Sequence, residues 1–146
     1  MEKINFVNNV TKASAETFNT MQDNIEDAIN DVDDKVDELK PVILYDDTTG
    51  STGNITLNET SANFKYIDVF AEKSGCYGFT RCANPNGKQI GIAIHNAYGT
   101  TDIQQIFARY SISGTTMTKD HELYILNNGS PTSSNDLAII KVVGYK

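Results

Sequence analysis

The sequence predicts a mainly β protein: an antiparallel β-sandwich head domain preceded by an N-terminal α-helix that forms a trimeric coiled coil. Two observations predict this fold class. The first forty residues contain no glycine and no proline, and they repeat apolar residues at alternating steps of three and four. The rest of the chain holds all ten glycines and all three prolines, and its apolar residues recur at every second position. The first pattern is typical of a coiled-coil helix and the second of half-buried strands.

Pro41 marks the boundary between these two parts. Residues 1–40 carry ten acidic residues against four lysines, whereas residues 41–146 are nearly balanced, with nine acidic and eight basic residues. Proline disfavours the helical conformation at the residue before it, so a helix that reaches this point ends at Lys40. We therefore expect a stalk helix within residues 1–40 and a head domain over residues 41–146.

The apolar residues of the predicted helix form one seam. The pattern starts at Ile4, Val7, Thr11 and Ser14 and continues through Phe18, Met21, Ile25, Ile29, Val32, Val36 and Leu39. Two successive steps of four after Met21 form a stutter, which locally unwinds a supercoil. An acidic helix whose apolar surface is a narrow seam cannot bury that surface alone, so we expect it to associate. β-branched residues at both kinds of seam position favour three strands over two, which predicts a homotrimer.

We expect no metal site and no cofactor. The acidic run over residues 31–38 invites comparison with a calcium-binding loop, but an EF-hand loop needs glycine at its sixth position, where Val36 stands. The apolar seam also continues through this run, which favours a solvent-exposed helix face. Cys76 and Cys82 have no second pair of Cys or His residues at zinc spacing. They are too far apart along one strand to form a disulfide, and only a hairpin at Gly78 would bring them together. We expect buried thiols.

Nine short strands are predicted after Pro41, with no helical pattern between them. They cover residues 42–46, 54–58, 64–72, 77–82, 89–95, 106–112, 115–118, 122–126 and 137–145. Turn residues separate them, and the turn at residues 84–87 most simply joins its two neighbouring strands as a hairpin. Many short strands separated by turn signals indicate an antiparallel β-sandwich.

Composition argues against two classes of partner. A net charge of −7 is unfavourable for a sequence-independent grip on nucleic acid. No run approaches the roughly 18 apolar residues that span a bilayer. The first twenty residues also lack the apolar core of a secretion signal. We therefore expect a soluble chain that folds in a cytoplasm, with no nucleic-acid partner and no membrane insertion.

Catalytic motifs are scarce as well. Neither a G-x-S-x-G nucleophile turn nor a Gly-rich phosphate loop occurs in the sequence. Among the nine acidic residues of the β region, no two stand out as the carboxylate pair of a glycoside hydrolase, and the chain has only two histidines. We expect that the protein is not an enzyme.

One predicted loop combines the residue types that bind saccharides. Residues 96–102 hold an amide, an aromatic ring and a carboxylate, from Asn96, Tyr98 and Asp102. The ring can stack on the apolar face of a sugar while the amide and the carboxylate bond its hydroxyls. His121, in a second predicted loop at residues 117–121, is a further glycan-binding candidate. The alternative is that both are ordinary solvent-exposed loops in which Tyr98 anchors a turn.

Several segments resemble the C-terminal β-domains of bacteriophage tail-fibre and baseplate proteins. They are residues 44–46, 53–57, 63–69 and 139–146. The resemblance covers residues 42–72 and the last eight, and it implies a homotrimeric receptor-binding or fibre protein of a phage or prophage-derived virion. In that family a trimeric coiled coil carries a β-rich head that recognises the host surface. Because the family has no fixed binding motif, the resemblance assigns no site residue.

Three functions are compatible with these observations. In the first, the head attaches the virion to a host cell-surface saccharide, while the helix binds other tail or baseplate proteins. In the second, the head is a structural knob of a tail, collar or head fibre that contacts only other virion proteins. The third is an enzyme that acts on surface polysaccharide, which the scarcity of acidic residues and histidines disfavours. The resemblance implies that the protein is localised in the virion. A missing secretion signal fits this localisation, because virion parts assemble in the cytoplasm of the bacterial host.

Overall fold

The chain divides into two units, Met1–Leu39 and Lys40–Lys146. The structure, a computed structural model, describes residues 15–98, 102–127 and 129–146, and of residues 15, 96–98 and 102 it describes the backbone alone. Each unit is described in turn.

The described part of the first unit is a single helix, α1 (Ala15–Leu39), of 25 residues. A chain without glycine or proline favours this conformation, and Glu16 in the first turn complements the positive end of the helix dipole. The helix ends one residue earlier than predicted, ahead of Pro41. Seven seam residues lie on α1, and each is between 38% and 78% exposed: Phe18, Met21, Ile25, Ile29, Val32, Val36 and Leu39. The predicted seam positions Ile4, Val7, Thr11 and Ser14 lie outside the described residues.

The described part of the second unit contains nine strands and a short 3-10 turn at Ser61–Asn63. The strands are β1 (Val42–Ser51), β2 (Ile55–Thr56), β3 (Tyr66–Lys73), β4 (Cys76–Ala83), β5 (Gln89–Tyr98), β6 (Asp102–Ser113), β7 (Thr116–Leu126), β8 (Thr132–Ser133) and β9 (Ala138–Tyr145).

These strands form two sheets, in which every described pairing is antiparallel. The first sheet has the order β1-β9-β3-β4, and the second has the order β2-β7-β6-β5 with β8 added to β7. Side chains from both sheets share one apolar core, so the unit is β-sandwich-like, and the predicted mainly β antiparallel fold is confirmed. The largest fully buried side chains include Leu44, Ile67, Val142, Ile92, Ile106 and Tyr110.

The turn at residues 84–87 does not make the predicted hairpin. It connects β4 in the first sheet to β5 in the second. Its backbone bonds to both sheets explain why: Asn84 N–H donates to Lys65 O beside β3, and Gly87 N–H donates to Ile112 O in β6. The hairpin partner of β4 is β3, through the two-residue turn Ser74–Gly75, whose positive φ angles of 52° and 80° are those of a type I′ turn.

Two predicted strands are one. Residues 115–118 and 122–126 belong to the single strand β7, so the predicted loop at residues 117–121 is wrong. The reason is a β-bulge: Arg109 pairs with His121 and Tyr110 with Lys119, which leaves Asp120 as the extra residue. The short strand β8 was not predicted.

Both cysteines lie on β4, and neither forms a disulfide. Cys82 is buried, as predicted, whereas Cys76 is only half-buried. Burial raises the pKa of the Cys82 thiol. Both side chains pack against the shared core, so their role in the described structure is packing.

Gly78 lies where β4 of the first sheet meets β5 of the second. A Cβ at this position would stand 2.7 Å from Ile94 Cγ1 and 2.9 Å from the carbonyl oxygen of Ala93. Because that oxygen belongs to backbone, it cannot move away cheaply, so only glycine allows this approach.

We therefore expect Gly78→Ala to lower the free energy of unfolding by about 1–3 kcal/mol through overpacking. Urea denaturation of the full chain measures this difference. Gly53→Ala is the matched control, because no atom lies within 4 Å of its added Cβ. Equal stabilities of the two variants would contradict the prediction.

Candidate functional site

The outward-facing side of the first sheet carries charged and aromatic side chains on neighbouring strands. The register of its four strands places them in rows. One row runs Ile43, Val143, Asp68 and Arg81, and the next runs Asp46, Lys141, Phe70 and Phe79. A third pair, Glu72 and Tyr77, lies beside the second row.

The first row contains a charge pair whose guanidinium lies over two aromatic rings. Arg81 donates from Nε and Nη2 to the two oxygens of Asp68 at 2.5 Å and 2.7 Å. Its guanidinium lies 4.9 Å and 5.4 Å from the ring centroids of Tyr66 and Tyr145. The Arg81 bonds hold the pKa of the buried Asp68 carboxyl below its usual range. Because these groups satisfy one another, the cluster stabilises the sheet.

Beside the second and third rows is a cavity of about 300 Å³, which we call the outer-face cavity. Its lining residues come from all four strands of the first sheet. They are Asp46, Thr48, Glu72, Tyr77, Ile140 and Lys141. None of these six was predicted from the sequence to be a binding residue.

The cavity combines an open aromatic ring with charged groups of both signs. Tyr77 is 72% exposed. Lys141 Nζ lies 3.3 Å from Asp46 Oδ2, and both side chains are about half-exposed. Glu72 faces Tyr77 across the strands, and its Oε1 accepts the N–H of Gly75 in the turn. Such a surface can stack on an apolar face of a ligand and exchange hydrogen bonds with its polar edge.

The predicted loop at residues 96–102 is largely strand. β5 extends to Tyr98 and β6 begins at Asp102, and these two residues pair, as do Asn96 and Gln104. The side chains of Asn96, Tyr98 and Asp102 lie outside the described residues, so their glycan-binding role stays a prediction.

His121 is exposed and lines a different cavity, of about 260 Å³. The other lining residues are Lys119, Asp120, Glu122, Ser133, Ser134 and Asn135. His121 pairs with Arg109, which pairs with Gly91 on β5. Gly91 and Tyr98 are seven residues apart on that strand, roughly 23 Å at the usual rise. The structure therefore does not bring His121 together with the predicted site at residues 96–102.

The floor of the His121 cavity is a buried ion pair between Lys119 and Glu122, whose side chains are only 9% and 1% exposed. Lys119 Nζ also donates to Thr52 O and Asn135 Oδ1, at 2.7 Å and 2.9 Å. Glu122 Oε1 accepts the N–H groups of Asp136 and Leu137, at 2.7 Å and 3.0 Å. The charged groups of Lys119 and Glu122 therefore both have partners within the fold.

Burial of the Glu122 carboxylate raises its pKa, but the bonds from Lys119, Asp136 and Leu137 outweigh burial, so that pKa lies below its ordinary value of 4.5. A lowered pKa stabilises the folded state fully above the unfolded-state pKa, and that stabilisation is lost as the pH falls through the folded-state pKa.

We expect the free energy of unfolding of the native chain to fall as the pH drops from about 6 to 3. Glu122→Gln should lower stability by about 3 kcal/mol at neutral pH, because Lys119 stays buried without its partner, and should flatten the acid dependence. Urea titrations at several pH values measure both effects. Asp46→Asn, in a half-exposed pair, should cost less than about 1 kcal/mol. A Glu122→Gln profile parallel to that of the native chain would contradict the assignment.

Within the described part of the chain, no three His, Cys, Asp or Glu side chains cluster closely enough to hold a metal ion. Among the described residues, no helix has the length and apolar character that crossing a membrane requires. Comparison of the chain with known protein families, with curated proteins and with solved structures finds no match.

Proposed function

We propose that this chain is a homotrimeric fibre protein of a phage or prophage-derived virion, and that its β unit attaches to a saccharide on the host cell surface. The observation that carries the proposal is the apolar seam of α1. Seven large apolar side chains are exposed along 25 residues of an otherwise polar, acidic helix. Exposing that seam to water is unfavourable, and association of copies buries it.

Three copies suit this seam better than two. Ile29, Val32 and Val36 are β-branched and occupy both kinds of seam position, a pattern that favours trimers. A trimer also presents three β units at once. Weak binding at each unit then adds up to strong attachment, because the second and third contacts form at a high effective concentration.

The outer-face cavity supports saccharide binding by the β unit. Its exposed Tyr77 ring and its mixed polar groups are the side-chain types that hold a sugar. The helix is the part that joins the β unit to other tail or baseplate proteins.

A purely structural knob is the second candidate. Ile103, Phe107 and Ile125 are exposed on the outer face of the second sheet, and they are 52%, 50% and 37% exposed. An apolar patch of this kind suits contact with another virion protein.

The trimer is tested by light scattering on the full chain. We expect three times the chain mass of 16.1 kDa for the native protein. Val32→Asp should dissociate it or unfold the helix, because three carboxylates would meet in the seam without partners. Asn30→Asp adds the same charge away from the seam and should leave the mass unchanged. A native protein that stays monomeric at micromolar concentration would refute the trimer.

Attachment is tested by binding of the labelled full chain to intact bacteria from a panel of strains. We expect binding to some strains, and we expect polysaccharide purified from the walls of a bound strain to compete with it. If the chain binds no strain and instead binds an isolated virion protein, the structural knob replaces this proposal.

A further inference from the structure

We propose that the outer-face cavity is the saccharide site and that it selects an uncharged sugar over an anionic one. The inference rests on the proposed attachment function and adds its location and its ligand class.

The apolar part of the cavity suits the carbon–hydrogen face of a sugar ring. Tyr77 offers a ring that is 72% exposed, at the cavity wall. Ile140 is half-buried and adds an aliphatic surface. Phe79 follows Tyr77 by two residues on β4 and is also exposed, so it extends the same aromatic surface along the strand. A large, rigid aromatic side chain gives much contact area at low entropic cost.

The polar part offers both acceptors and donors. Asp46 and Glu72 contribute carboxylate oxygens that accept from hydroxyls, and Lys141 contributes an ammonium that donates to them. The hydroxyl of Thr48 can do either. Asp46 and Lys141 already lie 3.3 Å apart, so an incoming hydroxyl can bond to both members of a pair that is held in place by the strand register.

The charge of the cavity decides the ligand class. Two carboxylates and one ammonium leave it with a formal charge of −1, in a chain whose formal charge is −7. A phosphate or carboxylate in the cavity would meet the two carboxylates of Asp46 and Glu72, and the ammonium of Lys141 is already paired with Asp46, so an anion is disfavoured. An uncharged sugar meets no such repulsion, and its binding should depend little on salt because no ion pair forms with it.

The experiment compares variants in binding to a bacterial strain that the native chain binds, with the trimer mass checked for each. Tyr77→Ala should weaken binding by about tenfold or more, because it removes the exposed ring on which the sugar stacks. Tyr77→Phe should bind more tightly than Tyr77→Ala, since it keeps the ring. Phe107→Ala is the matched control, because it removes a half-exposed ring from the other sheet, and it should bind like the native chain.

The ligand class is tested in the same assay by separating the wall polysaccharide of the bound strain into uncharged and anionic fractions by ion exchange. We expect the uncharged fraction to compete and the anionic fraction not to, with binding nearly constant between about 0.05 M and 0.5 M salt. Competition by the anionic fraction alone, or equal binding of Tyr77→Ala and Phe107→Ala, would overturn the inference and leave the attachment function standing. Failure of the native chain to bind any strain would overturn both.

Discussion

The buried ion pair between Lys119 and Glu122 sets the arrangement of much of the β unit. Through Thr52 it fastens the segment after β1, and through Asn135, Asp136 and Leu137 it fastens the segment that leads into β9. β9 lies between β1 and β3 in the first sheet and carries Ile140 and Lys141 of the outer-face cavity. A charge pair in the second sheet thus fixes where the central strand of the first sheet begins. Because this ion pair is deeply buried, it stabilises the β unit only while Lys119 and Glu122 are both charged.

The alternation of apolar residues was sufficient to predict most of the strands, because one side of each strand faces the shared core. The alternation did not predict β7 correctly, because a β-bulge shifts by one residue which positions of that strand face the core. Asp120 is the extra residue of β7, so Lys119 and Glu122 on either side of it both face inward. Charged residues in such a place resemble a loop in the sequence, although they form the centre of a polar network. The turn at residues 84–87 failed for another reason: its residues predict a change of direction, but not whether the next strand joins the same sheet.

Part of the candidate site could have been derived from the sequence. The Ser74–Gly75 turn is a two-residue hairpin turn, which by itself places Glu72 opposite Tyr77. Asp46 and Lys141 come from strands near the two ends of the β unit, and only the pairing of β1 with β9 brings them together. Pairing between distant strands leaves no local signal, because it depends on the packing of the whole sheet. The helix, whose pattern is entirely local, was predicted to within a residue of its described end.

The close approach at Gly78 has a consequence for aggregation. β4 and β5 are the last strands of their sheets, and an uncovered last strand offers its backbone N–H and C=O groups to any other strand that arrives. Because β4 and β5 approach each other closely at Gly78, each strand shields part of the other's hydrogen-bonding edge. Shielded edges of this kind are less available for strand-to-strand addition between copies of the chain.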